Sequence, residues 1–228
     1  MNKNEIHISE IIGPTIQGEG PLVGQPTIFV RVFGCNLKCE WCDSLYAVNK
    51  IDDTPQILPL ESVVNTIIKL GLKDVTFTGG EPMLYQDKIL NIMALLRLSD
   101  DKYTFHFETN GTVTPKGNFD DSTFIISPKL QFIDDKYIKT LKDWCYEQTG
   151  IYKIALKFVY EDFSTVDKIR KLLEDVDVDD TLIPIYLMPE GKTFDQQKYQ
   201  ECADVCIKNG WYLGARLHTI IWGAKRGV

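Results

Sequence analysis

No stretch of this chain is apolar over the ~20 residues that a membrane-spanning helix needs. Nothing repeats at a fixed period, and no segment is low in complexity or reads as a linker, which excludes solenoids and disordered arrays. Basic residues are in short supply: 25 Lys and Arg stand against 32 Asp and Glu, for a net charge of −7. That balance excludes a binder that relies on the nucleic-acid backbone, because such a protein wants a basic surface. The opening "MNKNEIHISE" has no apolar signal-peptide core, so a cytoplasmic protein without a membrane partner is expected. What remains is an ordinary globular chain of 228 residues, 44% hydrophobic and 25% charged. It is long enough for one large domain or two small ones. Its expected partner is a small molecule or another protein.

Short runs rich in β-branched and aromatic residues, bounded by Gly, Pro or Asp, predict strands over 27–33, 74–78, 103–108, 123–127, 155–160, 182–187 and 213–217. Helices are predicted over 60–70, 87–98, 134–147, 165–176 and 195–209; Val166, Ile169, Leu172 and Leu173 show the three- and four-residue spacing. The alternation predicts an α/β fold with a mainly parallel sheet and helices outside. A complete eightfold barrel typically takes ~250 residues. Six to seven strands therefore suggest an incomplete, laterally open (β/α) barrel, with a doubly wound open sheet as the alternative. The unusual segments follow strands: "GCNLKCEWCDS" the first, "TGGEP" the second, "ETNGT" the third, "SPK" the fourth, "MPEG" the sixth and His218 the seventh. In parallel α/β folds such strand ends share the face that holds the active site.

Cys35, Cys39 and Cys42 place three thiols in eight residues. In a cytoplasmic chain, clustered cysteines point to metal or redox chemistry rather than disulfides. Structural zinc wants four protein ligands, and no second Cys or His pair stands at finger-like spacing. A catalytic zinc with three thiolates and a water remains open. A [4Fe–4S] cluster held by three thiolates fits better and leaves one iron for another ligand. Cys202 and Cys206, four apart on a predicted helix, read as core.

The C-x3-C-x2-C triplet after the first strand, with Trp41 before its last cysteine and "TGGEP" closing the second strand, resembles the radical S-adenosylmethionine (SAM) enzymes. In that family the open iron is chelated by the amino and carboxylate groups of SAM. Reductive cleavage then releases a 5′-deoxyadenosyl radical that removes a substrate hydrogen. "GPTIQGEGPLVGQPTIFVRVFGC", "CDS", "ETNGT", "SPK", "LMPEG" and "LHTIIWGAKRGV" extend the resemblance along the whole chain to the 7-carboxy-7-deazaguanine synthase family. The resemblance implies a single radical SAM domain over 1–228 with a trimmed (β/α) barrel. It further implies a homodimer, a dependence on Mg2+, and an external electron donor of flavodoxin or ferredoxin type. The implied reaction is that of a carbon–nitrogen lyase. It turns 6-carboxy-5,6,7,8-tetrahydropterin into 7-carboxy-7-deazaguanine with loss of ammonia, on the route to queuosine and other 7-deazapurines.

Residue by residue, the resemblance implies that Cys35, Cys39 and Cys42 hold the cluster. Trp41, Cys42, Asp43, Gly80, Ser127, Pro128 and Lys129 would contact SAM. Ile16, Gln17, Gly18 and Glu19 would read the pterin ring, Arg31 would clamp its carboxylate, and Thr78 and the terminal Val228 would complete the substrate contacts. Ser44 stands where the family places a Mg2+-binding hydroxyl. Gly79 and Gly80 would permit the close backbone approach that a bound ligand requires. Glu108, Asn110 and His218 are left without a settled role. Two rivals remain: a glycyl-radical enzyme activase, which shares the cysteine motif but acts on a protein, and a thiolate–metal module without turnover.

Overall fold

The computed structural model describes residues 3–40, 42–48, 54–191, 193–223 and 225–227. Its contacts divide the chain into two compact units. One comprises Met1–Thr15, Pro26–Thr109 and Val113–Thr123, and the other Ile16–Gln25, Asn110–Thr112 and Phe124–Val228.

The first unit carries β1 (Glu5–Ile16, to Thr15), β2 (Pro26–Val32), β3 (Gln56–Pro59), β4 (Asp74–Gly79) and β5 (Thr104–Thr109), side by side in the order β3-β1-β2-β4-β5. β1 and β3 pair antiparallel, whereas β2, β4 and β5 are parallel. The parallel strands are near-continuous apolar runs, as expected where both faces are covered. Ile28, Val30, Val32, Val75, Phe77, Phe105 and Phe107 are all buried. Phe77 stacks on Phe107 at 5.3 Å, and Phe119 meets Phe107 edge-on at the same distance. Two helices belong here, α1 (Leu60–Leu70) and α2 (Gln86–Ser99). α1 buries Leu60, Val63, Val64 and Ile67, one face of a 3.6-residue repeat. It stops at Gly71, whose φ of 82° suits a left-handed C-cap.

The second unit carries β6 (Thr123–Ile126, from Phe124), β7 (Lys153–Tyr160), β8 (Ile185–Pro189) and the two-residue β9 (Tyr212–Leu213), in that order, with β7, β8 and β9 parallel. Its helices are α3 (Asp135–Lys142), α4 (Phe163–Val176), α5 (Gln196–Asn209) and α6 (Leu217–Trp222). α4 opens on a capping box between Asp162 and Thr165 and buries Val166, Ile169, Leu172 and Val176. Cys202 and Cys206 are buried on α5, as their spacing predicts.

Three sequence expectations change. β1 and β3 were not anticipated: a Gly13–Pro14 step interrupts the sequence pattern of the first, and the second has four residues. The predicted helix over 134–147 ends at Lys142 and continues as a π-turn, Asp143–Glu147, which buries Trp144 completely. The predicted strand over 213–217 keeps only its start, because "LHTIIW" forms α6. A short apolar run does not distinguish strand from helix by periodicity. His218 therefore lies on α6.

Candidate active site

In the first unit the cysteine loop leaves the C-terminal end of β2, and its root is pinned from three sides. Gly34 donates its N–H to the Ala47 carbonyl at 2.7 Å and accepts from Glu81 N–H at 2.9 Å, while the Tyr85 hydroxyl donates to the Phe33 carbonyl at 2.7 Å. The end of β4 runs so close to this root that glycine is obligatory. A Cβ on Gly80 would stand 2.0 Å from the Gly34 carbonyl oxygen, and one on Gly79 2.3 Å from that of Val32. At both glycines the chain's own backbone makes this close approach. Glu81, fully buried, locks the corner by accepting the Met83 N–H at 3.0 Å and the Thr109 hydroxyl at 2.6 Å.

Cys35, Cys39 and Cys42 are half-buried in this loop. Three thiols on one loop, none in a disulfide, are a donor set that suits an iron–sulfur cluster. Cys145 does not compete: burial pushes its thiol up to about 12, away from the thiolate form. Cys202 points its thiol at the Leu187 carbonyl, 3.6 Å away, inside the core.

Arg31 and Thr78 are register partners on β2 and β4. Arg31 Nε donates to Glu10 Oε1 at 3.0 Å, and its Nη1 to Ser44 Oγ at 3.3 Å. Ser44 in turn donates to Asp43 Oδ1 at 2.9 Å. Thr78 donates to Glu108 Oε2 at 2.8 Å. Arg31, Asp43 and Ser44, expected for different ligands, thus form one polar chain. Glu10, which the sequence did not single out, is the carboxylate at one end, and Asp43 is the carboxylate at the other. Among the described residues no group of three or more His, Cys, Asp or Glu side chains is gathered to hold one metal ion. Asp43 and Ser44 offer Mg2+ two neighbouring oxygens, a set that fits an ion keeping waters and sharing substrate oxygens.

In the second unit the loop 16–25 closes on itself, with Gln17 N–H to the Gln25 carbonyl and Gly24 N–H to the Gln17 carbonyl, both 2.8 Å. Gln17 is buried and its side-chain oxygen accepts the Glu19 N–H at 3.1 Å. Glu19 meets two cations: Lys157 Nζ lies 2.7 Å from Oε2 and Arg216 Nε 3.2 Å from Oε1. His218 Nε2 stands 3.9 Å from Oε1. Burial alone would raise the Glu19 pKa, but Lys157, Arg216 and His218 together outweigh it and lower the value to about 2. A Cβ on Gly18 would sit 2.2 Å from His218 Nδ1, so this position also needs glycine.

Ser127, Pro128 and Lys129 follow β6. Lys129 Nζ donates to Ser127 Oγ at 2.9 Å, and its N–H to the Tyr137 hydroxyl at 3.2 Å. Tyr137 donates to the Asn110 carbonyl, so one phenol ties "SPK" to the Asn110 turn. Asn110 accepts both the N–H and the hydroxyl of Thr112, at 2.9 and 2.6 Å. Trp41 and Val228 lie outside the described residues.

Three half-buried thiols on one loop at the end of a parallel strand are the donor set that an iron–sulfur α/β protein uses. Residues 29–143 match the radical SAM superfamily. A 7-carboxy-7-deazaguanine synthase of Bacillus cereus is 31% identical over 99% of this chain and 100% of that protein. The synthase of Halobacterium salinarum is 30% identical, covering 91% of this chain and 87% of its own. The crystal structure of QueE from Escherichia coli superposes with a TM-score of 0.72 at 23% identity, over 92% of this chain and 93% of that one, which shows the same open α/β fold. The chain belongs to the radical SAM superfamily and, within it, to the family of 7-carboxy-7-deazaguanine synthases.

Proposed function

We propose that the chain converts 6-carboxy-5,6,7,8-tetrahydropterin to 7-carboxy-7-deazaguanine with loss of ammonia, as a radical SAM lyase of 7-deazapurine biosynthesis. The observation that carries this reading is the triplet Cys35, Cys39 and Cys42 at the end of β2, in a chain that matches the Bacillus cereus synthase from end to end. When bound, a [4Fe–4S] cluster with SAM supplies the radical that removes a substrate hydrogen.

The three cysteines hold the cluster on a loop that the glycine corner and Tyr85 keep in place. Trp41, Cys42, Asp43 and Gly80 are assigned to SAM, as are Ser127, Pro128 and Lys129. In that segment the ammonium and the hydroxyl suit SAM's carboxylate and ribose. Arg31 is assigned to the substrate carboxylate. Two of its five N–H donors are committed to Glu10 and Ser44, so the substrate takes the outer end of the fork. Glu10 also neutralises Arg31, which gives Mg2+ at Ser44 a reason: it restores net positive charge beside an anionic substrate. Ile16, Gln17 and Gly18 present backbone groups to the ring edge, and Glu19 adds carboxylate lone pairs for ring N–H groups. Thr78 and Val228 complete the substrate contacts.

Residues 1–228 are taken as one catalytic domain, working as a cytoplasmic homodimer with an external flavodoxin- or ferredoxin-like donor. No helix among the described residues is long and apolar enough to cross a membrane. Anaerobic incubation of reconstituted protein with SAM, reductant, Mg2+ and the pterin, read by mass spectrometry, tests the reaction. Formation of 7-carboxy-7-deazaguanine is expected. SAM cleavage without that product would instead favour a protein-directed activase.

A further inference from the structure

Within the second unit, the loop 16–25 is fastened at one residue by two cations that are remote in sequence. Lys157 comes from the middle of β7, with its side chain only 8% exposed, and Arg216 from the turn before α6 at 12%. Each takes one oxygen of Glu19. Arg216 is itself fixed: its guanidinium donates to the Gly191 carbonyl, and its backbone N–H donates to Tyr199 Oη at 2.9 Å. The next residue, Leu217, donates its N–H to the Gly18 carbonyl at 2.9 Å. Removing one member of a buried ion pair leaves a charge uncompensated, a far larger perturbation than losing a surface pair.

We propose that Lys157 and Arg216 are positioning residues that clamp Glu19 from two sides and so set the Gln17–Gly18 backbone for the substrate. This rests on the assignment of Ile16–Gly18 to the pterin. Glu19 is then an anchor first, since both of its oxygens face cations. Lys157 is the more informative cation to remove. A strand of sequence "KIALKFVY" needs no charge at its centre for stability, and a buried ammonium there is tolerated because a carboxylate meets it.

The test uses reconstituted holoprotein. Lys157→Met should raise the KM for the pterin about tenfold or more, while iron content and the KM for SAM stay at wild-type values. Amide hydrogen exchange over residues 16–25 should quicken in the same variant. Glu19→Gln should do likewise, and the double variant should be no worse than the poorer single one, because the Lys157–Glu19 ion pair is already lost in either. Lys157→Arg should recover part of the loss. Arg216→Lys keeps the charge but loses the fork, and it provides a milder variant should Lys157→Met fold poorly. Unchanged exchange over 16–25, additive effects, or an equal rise in the KM for SAM would overturn the clamp. If wild-type protein fails to convert the pterin, the activity assignment falls, and the exchange comparison still decides whether Lys157 holds the loop.

Discussion

Replacing Gly80 by Ala inserts one methyl group where the end of β4 meets the root of the cysteine loop. The added carbon would lie 2.0 Å from the Gly34 carbonyl oxygen, with Gly34 C at 2.4 Å and Cys35 N at 3.0 Å. A relaxed carbon–oxygen contact is about 3.3 Å, so backbone must move by roughly 1 Å. All three obstructing atoms are main chain, and no flexible side chain can yield instead. Overpacking of this kind costs about 1–3 kcal/mol, and rigid neighbours put Gly80→Ala in the upper part of that range. For a chain of this size each kcal/mol shifts the melting temperature by roughly 2–4 °C, so a fall of about 4–12 °C is expected. The second consequence is chemical. Gly34 immediately precedes Cys35, and a displaced root moves the first thiol, so iron and sulfide per chain should fall after reconstitution. Gly210→Ala is the control. Gly210 has φ 71° with nothing within 4 Å of the added carbon, so only the left-handed backbone is strained, at about 1 kcal/mol. That variant should melt about 2–4 °C lower and keep its iron. Full iron content and an unchanged melting curve in Gly80→Ala would refute the argument that this corner sets the thiol loop.

Cys35→Ala, Cys39→Ala and Cys42→Ala should each lose the cluster, whereas Cys145→Ala, Cys202→Ala and Cys206→Ala should keep it; anaerobic iron and sulfide analysis separates the two sets. Arg31→Ala should raise the KM for the pterin roughly ten- to a hundredfold, since a hydrogen bond to a charged group is worth about 1.5–3 kcal/mol. Arg31→Lys should rescue it only in part, and steady-state kinetics with uncoupled SAM cleavage as the control measures both. Glu19, lowered from 4.5 to about 2, stabilises the folded chain fully above pH 4.5 and progressively less as pH falls toward 2. The gap in urea unfolding free energy between wild type and Glu19→Gln should therefore narrow over that window, by on the order of 3 kcal/mol. A gap that stays flat would mean the ion pairs contribute nothing.

Buried strands such as "TFII" and "TIFVRV" show themselves in sequence because both faces are covered and few polar residues interrupt them. β3 has four residues and β1 carries a Gly–Pro step, so their pairing is settled only by the neighbouring strand. The thiol triplet was equally plain, because all its members lie on one loop. Lys157 and Arg216 were not: they reach Glu19 across 138 and 197 residues. The single local sign was a charge inside an apolar strand. That sign drew attention to Arg31 in "PTIFVRV" and applied equally to Lys157 in "KIALKFVY". Glu10 escaped for a different reason, since a carboxylate on a strand not anticipated has no face from which to be read.

The central claim is that a radical generated at the Cys35–Cys39–Cys42 loop takes hydrogen from the pterin itself. Reconstituted wild-type protein should be given 6-carboxy-5,6,7,8-tetrahydropterin deuterated at its ring carbons, with unlabelled SAM and reductant under anaerobic conditions. Mass spectrometry should find deuterium in the SAM and 5′-deoxyadenosine pool while 7-carboxy-7-deazaguanine accumulates. A fully iron-loaded protein that cleaves SAM yet yields neither the labelled pool nor the product would contradict the account.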